Sequence, residues 1–259
     1  MLLEVKDLNI SLTSGKSVAE HISFQLAQGE MLSIVGSSGA GKTTICKAIM
    51  GLLGNTYRAD GEILFRGEDL LDLPERKRQT IYGKEICLIM QNPMTAFNPS
   101  IRVGRQLEKT YLLHHGKTPK QEMQRLFAGI LQRLGLEDTQ RILNSYPFTL
   151  SGGMLQRLMI AAALMCQPSL LVADEATTAI DACNRIGLMR ELKSFCKDGM
   201  SVLFVTHDLR SASVSDRILV MDRGRIVEQG KTEQILNAPK EDYTKYLLNA
   251  CRLERREMS

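Results

Sequence analysis

A glycine-rich segment near the N-terminus restricts the possible folds of this chain more than any other feature. Its residues are Gly36, Ser37, Ser38, Gly39, Ala40, Gly41, Lys42 and Thr43. The segment follows a short apolar run and precedes a predicted helix, the context in which this pattern forms a phosphate-binding loop. Glycines let backbone N–H groups face phosphate oxygens, and the helix N-terminus adds partial positive charge. A turn that merely starts a helix would not need Lys and Thr together.

The loop predicts a nucleotide-binding site for ATP and Mg²⁺. Lys42 is expected to reach the β and γ phosphates, and the Thr43 hydroxyl is expected to bind Mg²⁺. Thr44, the next residue of the predicted helix, is placed in the same binding segment.

A pair of acidic residues supplies the second half of the predicted site. Asp174 and Glu175 follow the apolar run LLVA, which is typical of a buried strand. Open α/β sheets bind ligands at the carboxyl ends of their strands. Asp174 is therefore predicted to hold Mg²⁺ through water, and Glu175 to orient or deprotonate the attacking water.

Composition limits the class of protein. The chain has 259 residues, of which 44% are hydrophobic and 24% charged, enough for one large domain or a domain with an inserted lobe. The net charge is +4 with basic residues scattered among acidic ones, so nucleic acid is not an expected partner. No apolar run approaches the roughly 20 residues of a membrane span, and the N-terminus lacks a signal-peptide pattern. We expect a cytoplasmic protein whose six widely spaced cysteines are reduced.

The order of apolar patterns predicts an α/β fold. Residues 3–35 are rich in strand patterns, and residues 103–134 have helical periodicity with a break near 116–119. In the second half, buried strands alternate with helices, as in a parallel sheet.

The segment Leu150-Ser151-Gly152-Gly153-Met154-Leu155-Gln156 narrows the class further. It is a second glycine-rich helix start that could bind an anion. An enzyme with a single phosphate loop needs only one such start. The pattern L-S-G-G-x-x-Q, about 25 residues before the Asp-Glu pair, resembles the signature of ABC transporter ATPases. The resemblance extends over nearly the whole chain.

The resemblance implies roles for further residues. Gln91 matches the family's Q-loop, which senses Mg²⁺ and contacts the membrane subunit. Asp181 matches the D-loop, and His207 matches the switch histidine that holds the γ-phosphate. Considered singly, these residues would be a surface Gln, a helix-capping Asp and a buried His at a strand end. Together with Gln156 and the signature turn, their order favours the functional interpretation.

The family also implies the architecture. We expect a P-loop NTPase core with a mostly parallel central sheet, an N-terminal antiparallel β subdomain and an inserted α-helical subdomain. The predicted single domain spans residues 1–259. Its core comprises residues 1–92 and 168–259, and its helical signature subdomain comprises residues 93–167.

The family mechanism pairs two such domains head to tail. Each ATP then lies between the phosphate loop of one chain and Ser151, Gly152 and Gly153 of the other. The implied partners are a second ATPase subunit, either a sibling or another copy, and two transmembrane permeases. An extracytoplasmic binding protein is an indirect partner, and the expected location is the cytoplasmic face of the membrane.

Two segments resemble the nickel and peptide import branch. They are QNPMTAFNP, starting at Gln91, and YPFTLSGGMLQR, starting at Tyr146. Nickel, or a metal carried by a small opine-like chelator, is the preferred cargo, and oligopeptides or dipeptides are the alternative. A soluble ABC ATPase acting on nucleic acid or ribosomes is a minor alternative. A non-hydrolysing regulatory subunit is disfavoured because Glu175 and His207 are both present.

Three positions depart from the family pattern. Ala176 stands where the family usually has Pro. No Tyr or Phe occurs between Leu8 and Ser17, where the family usually stacks an aromatic ring on adenine. Cys251 has no cysteine cluster around it, so no iron–sulfur centre is predicted.

Overall fold

The computed structural model describes residues 1–176 and 182–257, with the side chains of these residues except 182–184 and 252–257. The strands are Leu3–Leu12 (β1), Ser17–Leu26 (β2), Met31–Val35 (β3), Tyr57–Phe65 (β4), Glu68–Asp69 (β5), Ile86–Ile89 (β6), Leu170–Asp174 (β7), Ser201–Thr206 (β8), Arg217–Asp222 (β9) and Arg225–Lys231 (β10).

Helices alternate with these strands in the core and form a separate layer between β6 and β7. The α-helices are Lys42–Ile49 (α1), Glu75–Ile81 (α2), Val103–His115 (α3), Lys120–Arg133 (α4), Thr139–Asn144 (α5), Gly152–Met165 (α6), Ala182–Lys197 (α7), Leu209–Ala212 (α8), Thr232–Asn237 (α9) and Asp242–Glu257 (α10). Two short 3₁₀ helices also occur here: Pro93–Thr95 precedes α3, and Pro147–Thr149 lies between α5 and α6.

The described strands form two sheets. The first is antiparallel, with strand order β2-β1-β4-β5. The second has the order β10-β9-β3-β8-β7-β6, and its strands are parallel except for the antiparallel β9–β10 pair. This arrangement confirms the predicted α/β fold class, with a mostly parallel central sheet and an antiparallel N-terminal sheet.

The central strands are buried on both faces, as their continuous apolar sequences predict. In β8, Val202 and Phe204 pack on one face of the sheet with the helical layer, whereas Leu203 and Val205 pack on the other face with α1 and the antiparallel sheet. Successive side chains of a strand point to opposite faces, so β8 joins the two apolar clusters. This packing fixes the sheet whose carboxyl edge carries the polar residues.

The helical layer packs around α6, whose buried residues share one apolar cluster with α3, α4 and α5. α3 ends at His115 and α4 begins at Lys120, which agrees with the break predicted near residues 116–119. The shortest helices, α5, α8 and α9, are absent from the sequence-based expectation. A helix of four to six residues is too short to establish a 3.6-residue period.

The crossing of α3 and α5 provides a test of this packing. A β-carbon on Gly104 would lie 2.7 Å from the backbone oxygen of Leu143, closer than such contacts normally come. We expect Gly104→Ala to lower the free energy of unfolding by about 1–3 kcal/mol, because the helices must move apart. Urea denaturation measures the change.

Gly129→Ala is the matched control, since Gly129 lies within α4 and nothing stands within 4 Å of an added β-carbon. This variant should stabilise the protein by about 0.5–1 kcal/mol, because alanine reduces the entropy of the unfolded chain. Equal effects of the two substitutions would contradict the described crossing.

Candidate functional site

The glycine-rich loop joins β3 to α1 and is held closely against its neighbours. A β-carbon on Gly36 would overlap the backbone oxygen of Met221 in β9. Gly41 has φ of 95°, and a β-carbon there would lie 2.8 Å from the backbone oxygen of Val18. The loop backbone therefore approaches β2 and β9 too closely for side chains at these two positions. In contrast, Ser37, Ser38 and Gly39 are exposed.

Lys42 lies within the curve of this loop. Its Nζ atom donates hydrogen bonds of 2.8 Å to the backbone oxygens of both Gly36 and Ser37. Burial lowers the pKa of Lys42, and the negative charges of Glu175 and Asp174 oppose that shift. The loop thus holds its own cation next to the exposed amides that a phosphate would contact.

The first polar contact across the sheet edge joins α1 to β7. The Thr43 hydroxyl donates a hydrogen bond of 3.2 Å to Oδ1 of Asp174. Burial raises the pKa of Asp174 and the nearby charge of Glu175 adds to the rise, whereas the hydrogen bond from Thr43 and the charge of Lys42 oppose it. Two oxygen-bearing side chains consequently face each other at the carboxyl edge of the sheet.

Glu175 forms a second cluster at the same edge. Gln91 Nε2 donates a hydrogen bond of 2.8 Å to Glu175 Oε2. His207 Nδ1 lies 3.3 Å from Glu175 Oε1. The three residues follow β6, β7 and β8, which are adjacent parallel strands, so their side chains meet where the strands end.

Glu175 also has an unusual backbone conformation. Its φ of 49° lies in the left-handed region, which non-glycine residues seldom adopt. Its amide donates a hydrogen bond of 2.9 Å to the backbone oxygen of Val205, which fixes this turn against β8. Strain of this kind is common at functional sites, and here it directs the carboxylate between Gln91 and His207.

The oxygen atoms near Thr43 fit a magnesium ion. Mg²⁺ in phosphate-binding sites usually keeps several waters and takes only one or two protein ligands, together with phosphate oxygens. Within the described residues, no three His, Cys, Asp or Glu side chains group to hold a metal by themselves. The Thr43 hydroxyl and the Asp174 carboxylate, 3.2 Å apart, provide the hard oxygen ligands that such a shared site needs.

The signature turn lies at the start of α6. Ser151 is the N-cap residue, and its hydroxyl accepts a hydrogen bond of 3.2 Å from the Met154 amide. Ser151 and Gly152 are exposed. In the part of the chain that the structure describes, no hydrogen bond joins this turn to the phosphate loop. Within one chain, the described hydrogen bonds thus leave the two nucleotide-binding elements expected from the sequence unconnected.

Gln156 and Asp181 are the remaining site residues expected from the sequence. Gln156 is fully buried, on the inner face of α6. In this conformation its side chain is not accessible from the surface on which Ser151 is exposed. Asp181 lies outside the described residues.

Asp208 was not identified from the sequence, although it immediately follows His207. It caps α8 by accepting hydrogen bonds from the Arg210 amide at 2.9 Å and the Ser211 amide at 3.3 Å, and it pairs with Arg185 of α7 at 3.1 Å. Burial alone would raise the pKa of Asp208, but the bonds from Ser211, Arg210 and Arg185 lower it on balance. An Asp directly before a short helix was the available signal.

The turn between β1 and β2 lacks an aromatic residue, but a neighbouring strand supplies one nearby. Leu12, at the end of β1, pairs with Tyr57 at the start of β4. Directly paired residues of an antiparallel sheet place their side chains on the same face. Tyr57 is thus the aromatic side chain beside this turn.

The phosphate loop, the acidic strand end and the sheet order define a P-loop nucleotide triphosphatase. Among the described residues, no helix is both long and apolar enough to cross a membrane. The family model described as ABC transporter matches residues 19–178. The chain belongs to the ABC transporter family, and it is an ATP-binding ATPase coupled to transport.

Individual relatives cover nearly all of the chain. The metal-staphylopine import system ATP-binding protein CntD of Staphylococcus aureus is 40% identical over 251 residues, which are 96% of this chain and 92% of that protein. The dipeptide transport ATP-binding protein DppD of Haemophilus influenzae is 40% identical over 255 residues, covering 96% of this chain and 77% of that protein. The oligopeptide transport ATP-binding protein OppD of Bacillus subtilis is 42% identical over 254 residues, covering 95% and 71%.

A solved structure has the same fold. It is the dimeric post-hydrolysis state of an ATP-binding cassette bound to ADP and Pi, with a TM-score of 0.78 and 27% identity. The match covers 89% of this chain and 99% of that chain.

The raised pKa of Asp174 predicts a conflict between stability and function. Ionised Asp174 is partly desolvated, so Asp174→Asn should raise the free energy of unfolding without nucleotide by about 1 kcal/mol at neutral pH. Because the carboxylate is easier to protonate in the folded state, the gain should shrink as the pH falls towards about 4. Thermal unfolding at several pH values measures it.

The same variant should lose the rise in melting temperature that Mg²⁺ and ATP give the wild type. Asp72→Asn, at an exposed carboxylate outside the site, is the control and should retain that rise. An Asp174→Asn protein that is less stable than the wild type at neutral pH would show that burial does not dominate at Asp174.

Proposed function

We propose that this chain is the ATP-hydrolysing subunit of an ABC importer that powers uptake of nickel or another chelated transition metal through partner permeases. The observation that carries the hydrolytic part is the placement of Glu175, hydrogen-bonded to Gln91 and next to His207. This carboxylate lies beside the Thr43–Asp174 pair at the same sheet edge.

Different residues bind the phosphates, hold Mg²⁺ and activate the attacking water. The phosphate loop, residues 36–44, and the Lys42 ammonium would bind the phosphates. Thr43, Asp174 and Gln91 would hold Mg²⁺, which neutralises phosphate charge when bound. Glu175 orients a water molecule or takes a proton from it as its oxygen attacks the γ-phosphorus. The bond from that phosphorus to the ADP oxygen then breaks. His207 contacts the γ-phosphate and keeps Glu175 in position.

A second ATPase subunit completes the site. The Ser151 turn is exposed and separate from the phosphate loop of its own chain, so it is available to a partner. In a head-to-tail pair, the N-terminus of α6 would face the γ-phosphate bound by the other chain, where its partial positive charge stabilises the developing negative charge.

The membrane partners are assigned to the surface around Gln91. Met90 is 55% exposed and Met94 is 61% exposed, on either side of Gln91. Large apolar side chains exposed together mark an interaction site, and methionine adapts to varied partners. Movement of Gln91 during ATP binding would thus reach two permeases at the cytoplasmic face of the membrane. An extracytoplasmic binding protein delivers the cargo to those permeases.

The cargo is a metal or its chelate in the preferred proposal and a peptide in the alternative. The relatives named above include both a metal-staphylopine importer and peptide importers at similar identity. The preference for the metal chelate rests on the segments that start at Gln91 and Tyr146, which resemble those of nickel-type subunits. Uptake of nickel, nickel chelate and dipeptide by cells with and without Lys42→Ala distinguishes the two cargoes.

Substitution of Glu175 tests the hydrolytic assignment. Glu175→Gln removes the charge that activates water and leaves the phosphate-binding loop intact. We expect turnover to fall by a factor of about 10² or more, with ATP binding retained and an ATP-bound dimer accumulating. Size-exclusion chromatography with ATP and a phosphate-release assay measure both effects.

Glu233→Gln, at an exposed carboxylate in α9, is the control and should behave as the wild type. Ordinary turnover by the Glu175→Gln protein would refute the role of Glu175. Loss of ATP binding by that protein would instead place Glu175 in nucleotide binding.

The sequence also predicts how well the site distinguishes adenine from guanine nucleotides. Because residues 9–16 contain no Tyr or Phe, the purified chain should prefer ATP over GTP only weakly. Competition of GTP against a fluorescent ATP analogue measures the ratio of dissociation constants. A strong preference for ATP would show that another side chain stacks on adenine, and loss of that preference in Tyr57→Ala would identify Tyr57.

A further inference from the structure

The phosphate loop is hydrogen-bonded to a residue near the C-terminal end of the chain. The backbone amide of Ser37 donates a hydrogen bond of 3.0 Å to the hydroxyl oxygen of Tyr243, a residue 206 positions away. Ser37 is the second residue of the loop, and it is exposed apart from this contact. A side chain of α10 thus holds the segment in which the chain leaves β3.

Tyr243 is itself well placed to hold the loop. Its ring packs against the apolar cluster formed by β9, α8 and Val35, the last residue of β3. The ring also stacks on Tyr246, with 6.5 Å between ring centroids. Because the ring is supported on these sides, its hydroxyl is presented to Ser37 with little loss of side-chain freedom.

The same helix contacts the segment after His207. Arg210 of α8 donates a hydrogen bond of 2.9 Å from Nη2 to the backbone oxygen of Cys251 in α10. α8 begins two residues after His207 and is capped by Asp208. α10 therefore spans the space between the phosphate loop and the segment that carries the histidine.

We propose that Tyr243 is a positioning residue for nucleotide binding: its hydroxyl holds the Ser37 amide, and with it the start of the phosphate loop, in the conformation that receives the triphosphate. The inference rests on the proposed ATP site and adds a residue outside the loop to it. Tyr243 acts through the backbone of the loop. A loop held in its binding conformation loses less freedom when it binds phosphate, which increases affinity.

The energy of one hydrogen bond sets the size of the effect. A neutral hydrogen bond that is lost on substitution corresponds to a change of about threefold to tenfold in an equilibrium constant. Tyr243→Phe removes the hydroxyl and retains the packed ring. We expect this variant of the full chain to bind ATP about threefold to tenfold more weakly than the wild type.

Tyr246→Phe is the matched control. Tyr246 lies one turn further along α10, stacks on Tyr243 and is 67% exposed. Its hydroxyl has no contact with the loop among the described residues, so this variant should keep the wild-type dissociation constant for ATP.

Amide hydrogen exchange distinguishes positioning of the loop from a general loss of packing. In Tyr243→Phe, exchange without nucleotide should accelerate in peptides covering residues 36–41 and stay unchanged in those covering α10. An ATP dissociation constant within twofold of the wild type would overturn the proposal. Weaker binding accompanied by faster exchange along all of α10 would also overturn it, since Tyr243 would then act by packing alone.

The wild-type chain gives a test that does not depend on a variant. Coupling between two sites is reciprocal, so ATP should slow amide exchange near Tyr243 as well as in the loop. Absence of any ATP-dependent change in residues 242–248 would overturn the proposal.

Lys42→Ala separates failure of the proposed ATP site from failure of the role of Tyr243. If the wild type binds ATP no better than Lys42→Ala does, the proposed function fails. Normal ATP binding by Tyr243→Phe would remove only the role of Tyr243.

Discussion

The hydrogen bond between Thr43 and Asp174 depends on the order of the parallel strands, and the rest of the site depends on it. β3 and β7 are not neighbours, because β8 lies between them. Two strand spacings, about 10 Å, must therefore be bridged at the sheet edge. The phosphate loop and the first turn of α1 bridge this distance and bring the Thr43 hydroxyl to 3.2 Å from Asp174. The fully buried residues of β8 keep the two flanking strands in register.

The partly buried charges at this edge lower the stability of the fold. Burial lowers the pKa of Lys42 and raises that of Asp174, so each residue is harder to ionise here than in water. The left-handed backbone conformation of Glu175 is a further cost to the stability of the fold. Such a cluster is retained because its charges serve a bound triphosphate, while the apolar clusters on both sheet faces provide the stability.

In the proposed function, the exposed turn at Ser151 explains why one chain makes an incomplete site. A capped helix start with an outward-facing N-terminus attracts an anion, yet the loop that would hold the anion lies elsewhere in the same molecule. In the proposed head-to-tail pair, each chain would contribute residues to both sites. In the proposed function, the exposed methionines beside Gln91 would contact a permease, and the Ser151 turn would contact the second ATPase subunit.

The sequence by itself determined the local features. The phosphate loop, the buried strand before Asp174 and the break between α3 and α4 are encoded in short stretches, where glycine spacing and hydrophobic period are sufficient. Only the tertiary structure decided which distant residues meet. It buried Gln156, placed Tyr57 beside Leu12, paired Asp208 with Arg185 and brought Tyr243 to Ser37. These contacts depend on strand order and on the packing of short helices, which no local pattern specifies, because their partners are separated along the chain by between 23 and 206 residues.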